Sequence, residues 1–188
     1  MTGEQVRLSL CRLSRKRAQH ILPAFHTEHP LPHGCSYRLA RLQELDILLS
    51  LASESFPTDL PTRRGLRHFL TRAHALIFLL ISPDQDPIGY LHLEGNTRTK
   101  SVYVNTFTLR PGWRGKKLGH SFYTLSEYIA EDAGFWTLRM HISDTARNNL
   151  HLAHKNGYEE IWFGAYLEDG SNSYLLRKTL THRPDKNA

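Results

Sequence analysis

The sequence predicts an α+β fold built on a mixed β-sheet flanked by helices, and three observations carry that reading. Strand-length apolar or alternating stretches outnumber helical ones, and several follow one another across short turns. A loop bearing glycines and basic residues, Pro111–Gly119, separates a strand from a long amphipathic helix. The chain has 188 residues, enough for one domain with a sizeable core. Its 40% hydrophobic and 22% charged residues are those of an ordinary globular protein.

Residues 1–35 read as an N-terminal extension. A short helix is expected near Val6–Ile21, after which Pro23, Pro30, Pro32 and Gly34 break any long element. From Ser36 the pattern becomes regular. Tyr37–Arg41 reads as a strand and Gln43–Ser55 as a helix with Leu45, Leu48, Leu49 and Ala52 on one face. Thr62–Ala73 reads as a second helix capped by Thr62. Ala75–Ser82, Pro87–Glu94 and Ser101–Arg110 are strands in hairpin succession. After the loop, Leu118, Phe122, Leu125 and Ile129 recur at helical spacing, and Gly134 is placed to end that helix. Phe135–Ser143 alternates as a strand, with Trp136, Leu138, Met140 and Ile142 on one face and Thr137, Arg139, His141 and Ser143 on the other. Asp144 is expected to cap a helix reaching Asn156 and closed by Gly157. Two strands, Tyr158–Tyr166 and Ser173–Thr179, finish a domain spanning 36–180, and 181–188 form a polar tail.

Composition narrows the function. No apolar run approaches the ~18–20 residues that span a bilayer, and no signal-peptide pattern follows the basic N-terminus. Two cysteines, Cys11 and Cys35, are too few for a disulfide framework. A reduced, cytoplasmic protein is expected. The net charge of +6 favours an anionic partner such as a polyanionic cofactor or nucleic acid. His151 and His154 share a helix face but lack further metal ligands, so no metal is expected.

The loop 110–119 carries the chemistry. A helix N-terminus leaves main-chain N–H groups unpaired, and its dipole makes that end positive. Glycines at 115 and 119 allow close approach, and Arg114, Lys116 and Lys117 add charge, so the loop suits a pyrophosphate. The spacing excludes the P-loop of nucleotidases and the dinucleotide-binding glycine motif.

The segment Phe107–His120 resembles the acetyl-CoA-binding motif of the GNAT superfamily of N-acetyltransferases, Gln/Arg-x-x-Gly-x-Gly/Ala, with Arg114 and Gly119 at its ends. Lys117 stands where the family has a middle glycine; in a left-handed conformation it would cost on the order of 1 kcal/mol. Lys155-Asn156-Gly157-Tyr158 is similar to the family's closing helix, turn and strand. Thr62-Arg63-Arg64 and Tyr166–Gly170 resemble a subgroup near the ribosomal-protein N-terminal acetyltransferases. The likeness runs from about Ser36 to Leu180 and implies the acyl-CoA N-acyltransferase fold, with a mostly antiparallel sheet.

The resemblance implies acetyl-CoA as cosubstrate and an amine acceptor as partner. Phe107, Thr108 and Leu109 would run beside the pantetheine arm, with the Leu109 amide polarising the thioester carbonyl. Arg114, Gly115, Lys116, Lys117, Leu118, Gly119 and His120 would hold the pyrophosphate, and Asn148 and Asn149 lie one turn beyond the family's helix-start asparagine position, here Ala146. Where the subgroup has a glutamate base, this chain has His141, whose imidazole titrates near neutrality. The tyrosine that protonates the departing thiolate falls at Ala153, leaving His154, Tyr158 or Tyr166 as substitutes. The acceptor pocket would draw on Phe56, Asp59, Tyr166, Glu168 and Asp169. Two alternatives remain open: a non-catalytic acyl-CoA-binding module, motivated by Ala153 and Ala146, and a nucleic-acid binder using the N-terminal basic cluster. Nucleic acid is the less favoured partner, no membrane is expected, and a homodimer is left open.

Overall fold

The computed structural model of the chain describes residues 13–56, 60–165 and 171–181. Seven strands form one sheet: β1 (Ser36–Leu39), β2 (Ala75–Ile81), β3 (Pro87–Asn96), β4 (Ser101–Leu109), β5 (Thr137–Ser143), β6 (Glu159–Ala165) and β7 (Asn172–Thr179). Their spatial order is β1-β2-β3-β4-β5-β7-β6. Only β4 and β5 run parallel; the other neighbours are antiparallel, as hairpin connections require.

Helices cover both faces. On one lie α1 (Arg15–Glu28), α4 (Leu118–Asp132) and α5 (Arg147–Lys155), sharing a core that includes Phe25, Phe78, Phe122, Leu138 and Ala153. On the other, α2 (Leu45–Ser53) and α3 (Arg63–Thr71) pack Leu48, Leu51, Leu66 and Leu70 on Ile77, Leu79 and Tyr90. Strand β2 is therefore buried along its whole length, which is why its sequence is an unbroken apolar run. The Thr62 hydroxyl caps α3 by accepting from the Gly65 amide at 3.0 Å. Gly134 and Gly157 take φ of 75° and 78°, ending α4 and α5 in the left-handed conformation that glycine adopts most easily.

Three expectations need correction. The described N-terminal helix, α1, Arg15–Glu28, begins at a Ser14 cap and continues through Pro23, so the helix expected near Val6–Ile21 runs on well past Ile21, while residues 6–12 of that expectation lie outside the described residues. Its amphipathic spacing put Ala18, Leu22 and Phe25 inward, and the proline sits at an exposed position on its outer side. Asp144 does not cap α5, whose cap is Ala146 without a side-chain bond. Trp136 is 57% exposed and precedes the strand, so the alternation that buries Leu138, Met140 and Ile142 does not reach it.

Strands β4 and β5 shape the site. They pair only at Ser101–Tyr103 with Thr137–Arg139 and then separate. On its other side β4 stays paired to β3, with the register moving from Leu93↔Val104 to His92↔Thr106, so that Asn105 is an extra residue. Such a bulge bends and twists the strand that carries it. Among the described residues no helix is long and apolar enough to cross a membrane.

One buried group couples this fold to pH. His92 on β3 is 4% exposed, lies 4.4 Å from the Phe69 ring, and has an Nε2 without a hydrogen-bond partner. Burial, helped by the Arg72 guanidinium, pushes its pKa down to about 4. Between that value and the unfolded one near 6.5 the unfolded chain binds a proton that the folded chain does not, so stability falls as pH falls. Denaturant titrations should show this group removing about 3 kcal/mol between pH 7 and pH 4. His92→Leu should flatten the pH dependence by that amount, and an unchanged slope would contradict the assignment.

Candidate active site

Where β4 leaves β5, its backbone acquires a free edge. The Arg110 amide donates to the Ile88 carbonyl at 2.8 Å, so even-numbered residues of this stretch bond to β3. Alternation then turns the N–H and C=O groups of Phe107 and Leu109 toward the gap that β5 has vacated. The Leu109 carbonyl on that side accepts from Arg114 Nε at 3.0 Å.

The next turn leads to α4. Pro111–Trp113 forms a short 3-10 turn, and Lys117 is the helix cap with φ 64° and ψ 5°. The left-handed cap is what the glycine of the related motif would supply, and lysine accepts its strain. No side chain caps α4, and its first turn holds no acidic residue. The opening amides of a 15-residue helix thus face outward at its positive end. Gly115 has φ 76° and open space on its Cβ side. At Gly119 a Cβ would stand 3.0 Å from Leu152 Cδ2, so this glycine serves the close crossing of α4 and α5.

The basic side chains behave differently from the amides. Arg114 spends its guanidinium on the Leu109 carbonyl, the Glu54 carbonyl at 3.2 Å and Ser55 Oγ at 3.3 Å. It ties the end of α2 to the loop. The Lys116 ammonium sits 4.4 Å over the Trp113 ring, a cation–π contact. The anion-binding capacity of the loop therefore rests mainly on main chain, with Lys117 and His120 beside it.

These groups line a cavity of about 1320 Å³. Its walls include Phe107, Thr108, Leu109, Arg114, Gly115, Lys117, Gly119 and His120, and also Asn148, Asn149 and Phe56. Lys116 lies outside that lining, and Leu118 is fully buried in the core beneath it. A helix N-terminus without acidic groups, opening on a cavity beside a free strand edge, can receive a phosphorylated ligand with an amide-bearing arm.

Residues 42–158 match the acetyltransferase (GNAT) family, well over half of the chain. The chain belongs to the GNAT acetyltransferase family. Its fold is that of solved GNAT enzymes. The ribosomal-protein-S18-alanine N-acetyltransferase from Escherichia coli superposes with a TM-score of 0.70 at 11% identity, over 82% of this chain and 99% of that one. A GNAT acetyltransferase from Streptococcus pneumoniae gives 0.64 at 17% identity, over 78% and 99% of the two chains. The spermidine/spermine N-acetyltransferase from Vibrio cholerae gives 0.64 at 15%, over 77% and 92%. No curated protein sequence matches the chain. Family membership makes it an acyl-CoA-dependent N-acetyltransferase, with acetyl-CoA the family's cosubstrate.

In this GNAT enzyme the remaining predicted residues do not all converge. His141 lies on β5, half-buried, with Nδ1 3.2 Å from the hydroxyl of Ser173 on β7; burial lowers its pKa. Tyr158 is 2% exposed and packs edge-on to Tyr123, away from the cavity lining, and burial pushes its ionisation well above the usual tyrosine value. His154 also lies off that lining, on the outer face of α5, with Nε2 3.0 Å from Glu160. Neither is brought to the cleft, and His141 too lies outside the cavity lining. Asp59, Tyr166, Glu168 and Asp169 lie outside the described residues. Among the described residues no group of His, Cys, Asp or Glu is placed to hold a metal ion. Missed by the sequence reading were Ser173, Ser55 and Ser121, and the wall contributed by residues 25–32; the inward spacing of Leu22 and Phe25 was the available signal.

The cap geometry gives a direct test. Lys117→Gly should relieve left-handed strain and raise stability by about 1 kcal/mol, roughly 2–4 °C in Tm for a chain of this size. A lowered Tm would contradict the conformation described for residue 117.

Proposed function

We propose that this acetyltransferase transfers an acetyl group from acetyl-CoA to a primary amine of a protein, peptide or small molecule by direct attack of the amine on the thioester. The observation that carries the proposal is the continuous cavity joining the uncapped α4 N-terminus to the free edge of β4. The amides of residues 115–120 would take the diphosphate, and the Phe107–Leu109 edge the pantetheine arm. The Leu109 amide would donate to the thioester carbonyl as negative charge develops there, a contribution of roughly 3 kcal/mol for a well-placed donor.

In the step itself a C–N bond forms between amine and acetyl carbon, the C–S bond breaks, and the sulfur leaves as thiolate. The attacking nitrogen must first lose a proton. His141 is the group assigned to take it, because burial lowers its pKa and so favours the neutral imidazole, and Ser173 contacts its Nδ1 side. Ala153 is fully buried at the place of the family's tyrosine, and among the described residues neither Tyr158, in the core, nor His154, on the outer face of α5, is placed to protonate the thiolate, which in this reading leaves as such. A thiol with a pKa near 8.5 permits this.

Purified protein should turn over acetyl-CoA with at least one member of a panel of N-terminal peptides, lysine peptides and polyamines. CoA binding without turnover on any acceptor would instead make the chain a binding module. The pH–rate profile should fall on its acid side, at a pH below that at which a free imidazole titrates, as a base with a lowered pKa becomes protonated. His141→Ala should reduce kcat/KM by roughly 10²-fold and abolish that limb. An unaltered profile would remove His141 from the mechanism.

A further inference from the structure

We infer that residues 28–32, outside the stretch matched by the GNAT family, form the wall that holds the adenosine end of acetyl-CoA; this rests on the proposed use of the cavity. The cavity lining falls on two sides of the α4 N-terminus. Gly119 faces α5, as its contact with Leu152 records, and on that side lie Phe107, Leu109, Asn148 and Asn149. Ser121 faces the other way, its hydroxyl 2.7 Å from the Tyr37 hydroxyl, and on that side the lining includes Glu28, His29, Pro30, Leu31, Pro32 and His120.

A cofactor with its diphosphate at the α4 amides must send its two ends in different directions. The strand-like edge of β4 suits the amide-bearing arm. The second side has no such edge; it offers proline rings, a leucine, two imidazoles and the Glu28 carboxylate. Apart from that carboxylate these are flat or apolar surfaces, suited to a purine base rather than to a peptide-like chain.

The wall is also held in place before any ligand arrives. Phe25 is fully buried and meets the Tyr128 ring edge-on at 5.3 Å. Arg17 pairs with Asp132 at the far end of α4, and His26 Nε2 accepts from the Tyr37 amide at 2.9 Å. After Leu31 and Pro32 the chain reverses through His33 and Gly34, with φ of 58° and 68°. The His33 ring then stands edge-on to Trp113, 6.5 Å between centroids. The segment is thus anchored in the core at one end and on the phosphate loop at the other. Such preorganisation lowers the ordering cost of binding.

The test compares acetyl-CoA with acetyl-pantetheine, which lacks the nucleotide. Leu31→Asn and the exposed Pro30→Asn are both uncharged, so neither adds repulsion toward phosphate. Each should weaken acetyl-CoA binding by calorimetry about tenfold and shrink the wild-type ratio of kcat/KM for acetyl-CoA over acetyl-pantetheine by a similar factor. Unchanged affinity in both variants, or equal losses with the two donors, would overturn the inference while leaving the acetyltransferase reading intact. A wild-type protein that binds no CoA would overturn the cavity assignment itself, and this inference with it.

Discussion

The function proposed for this chain depends on a set of main-chain amides that the fold leaves without partners. A helix must expose its first N–H groups, and most proteins answer with a capping side chain. Here α4 begins at Lys117, in a left-handed conformation, with no cap and no acidic residue in the first turn. The uncapped end does not fray, because Leu118 and Phe122 lock the helix into the core directly behind it. Rigid packing below and unpaired donors above make the start of α4 a fixed surface, which is the one proposed to bind the diphosphate. The basic side chains around it serve other partners: Arg114 braces α2 against the loop, and Lys116 lies on Trp113.

The second requirement is a strand edge inside a sheet. Parallel pairing of β4 and β5 lasts only from Ser101 to Tyr103, and the bulge at Asn105 turns the rest of β4 away. Past that point Phe107 and Leu109 present backbone to a gap that the sheet does not fill. An open edge is normally a liability. At this place, beside the uncapped helix, it gives the cavity a wall that can hydrogen-bond like a strand.

Most strands and helices of the 36–180 region were legible because their patterns are local. The unbroken apolar run of β2, the i, i+4, i+7 spacing of α4 and the Thr62 cap each report a contact close in sequence. The glycine-bearing loop between β4 and α4 was legible for the same reason. Less so were features set by distant contacts. Helix α1 was misplaced because its prolines read as breakers, whereas Phe25 and Arg17 draw their stability from Tyr128 and Asp132 a hundred residues away in sequence. The roles of the basic side chains were hidden likewise, since Arg114 meets Glu54 and Ser55 only in the folded chain. Ser173 became visible only when β7 paired with β5 and brought its hydroxyl to His141.

The central claim is that the amides from 115 to 120 grip a diphosphate. Titrating CoA into the 15N-labelled protein tests it most directly. Those amides and that of Leu109 should show the largest shifts in the spectrum, saturating together with one affinity. If they stay in place while CoA binds elsewhere, or does not bind at all, the account is wrong.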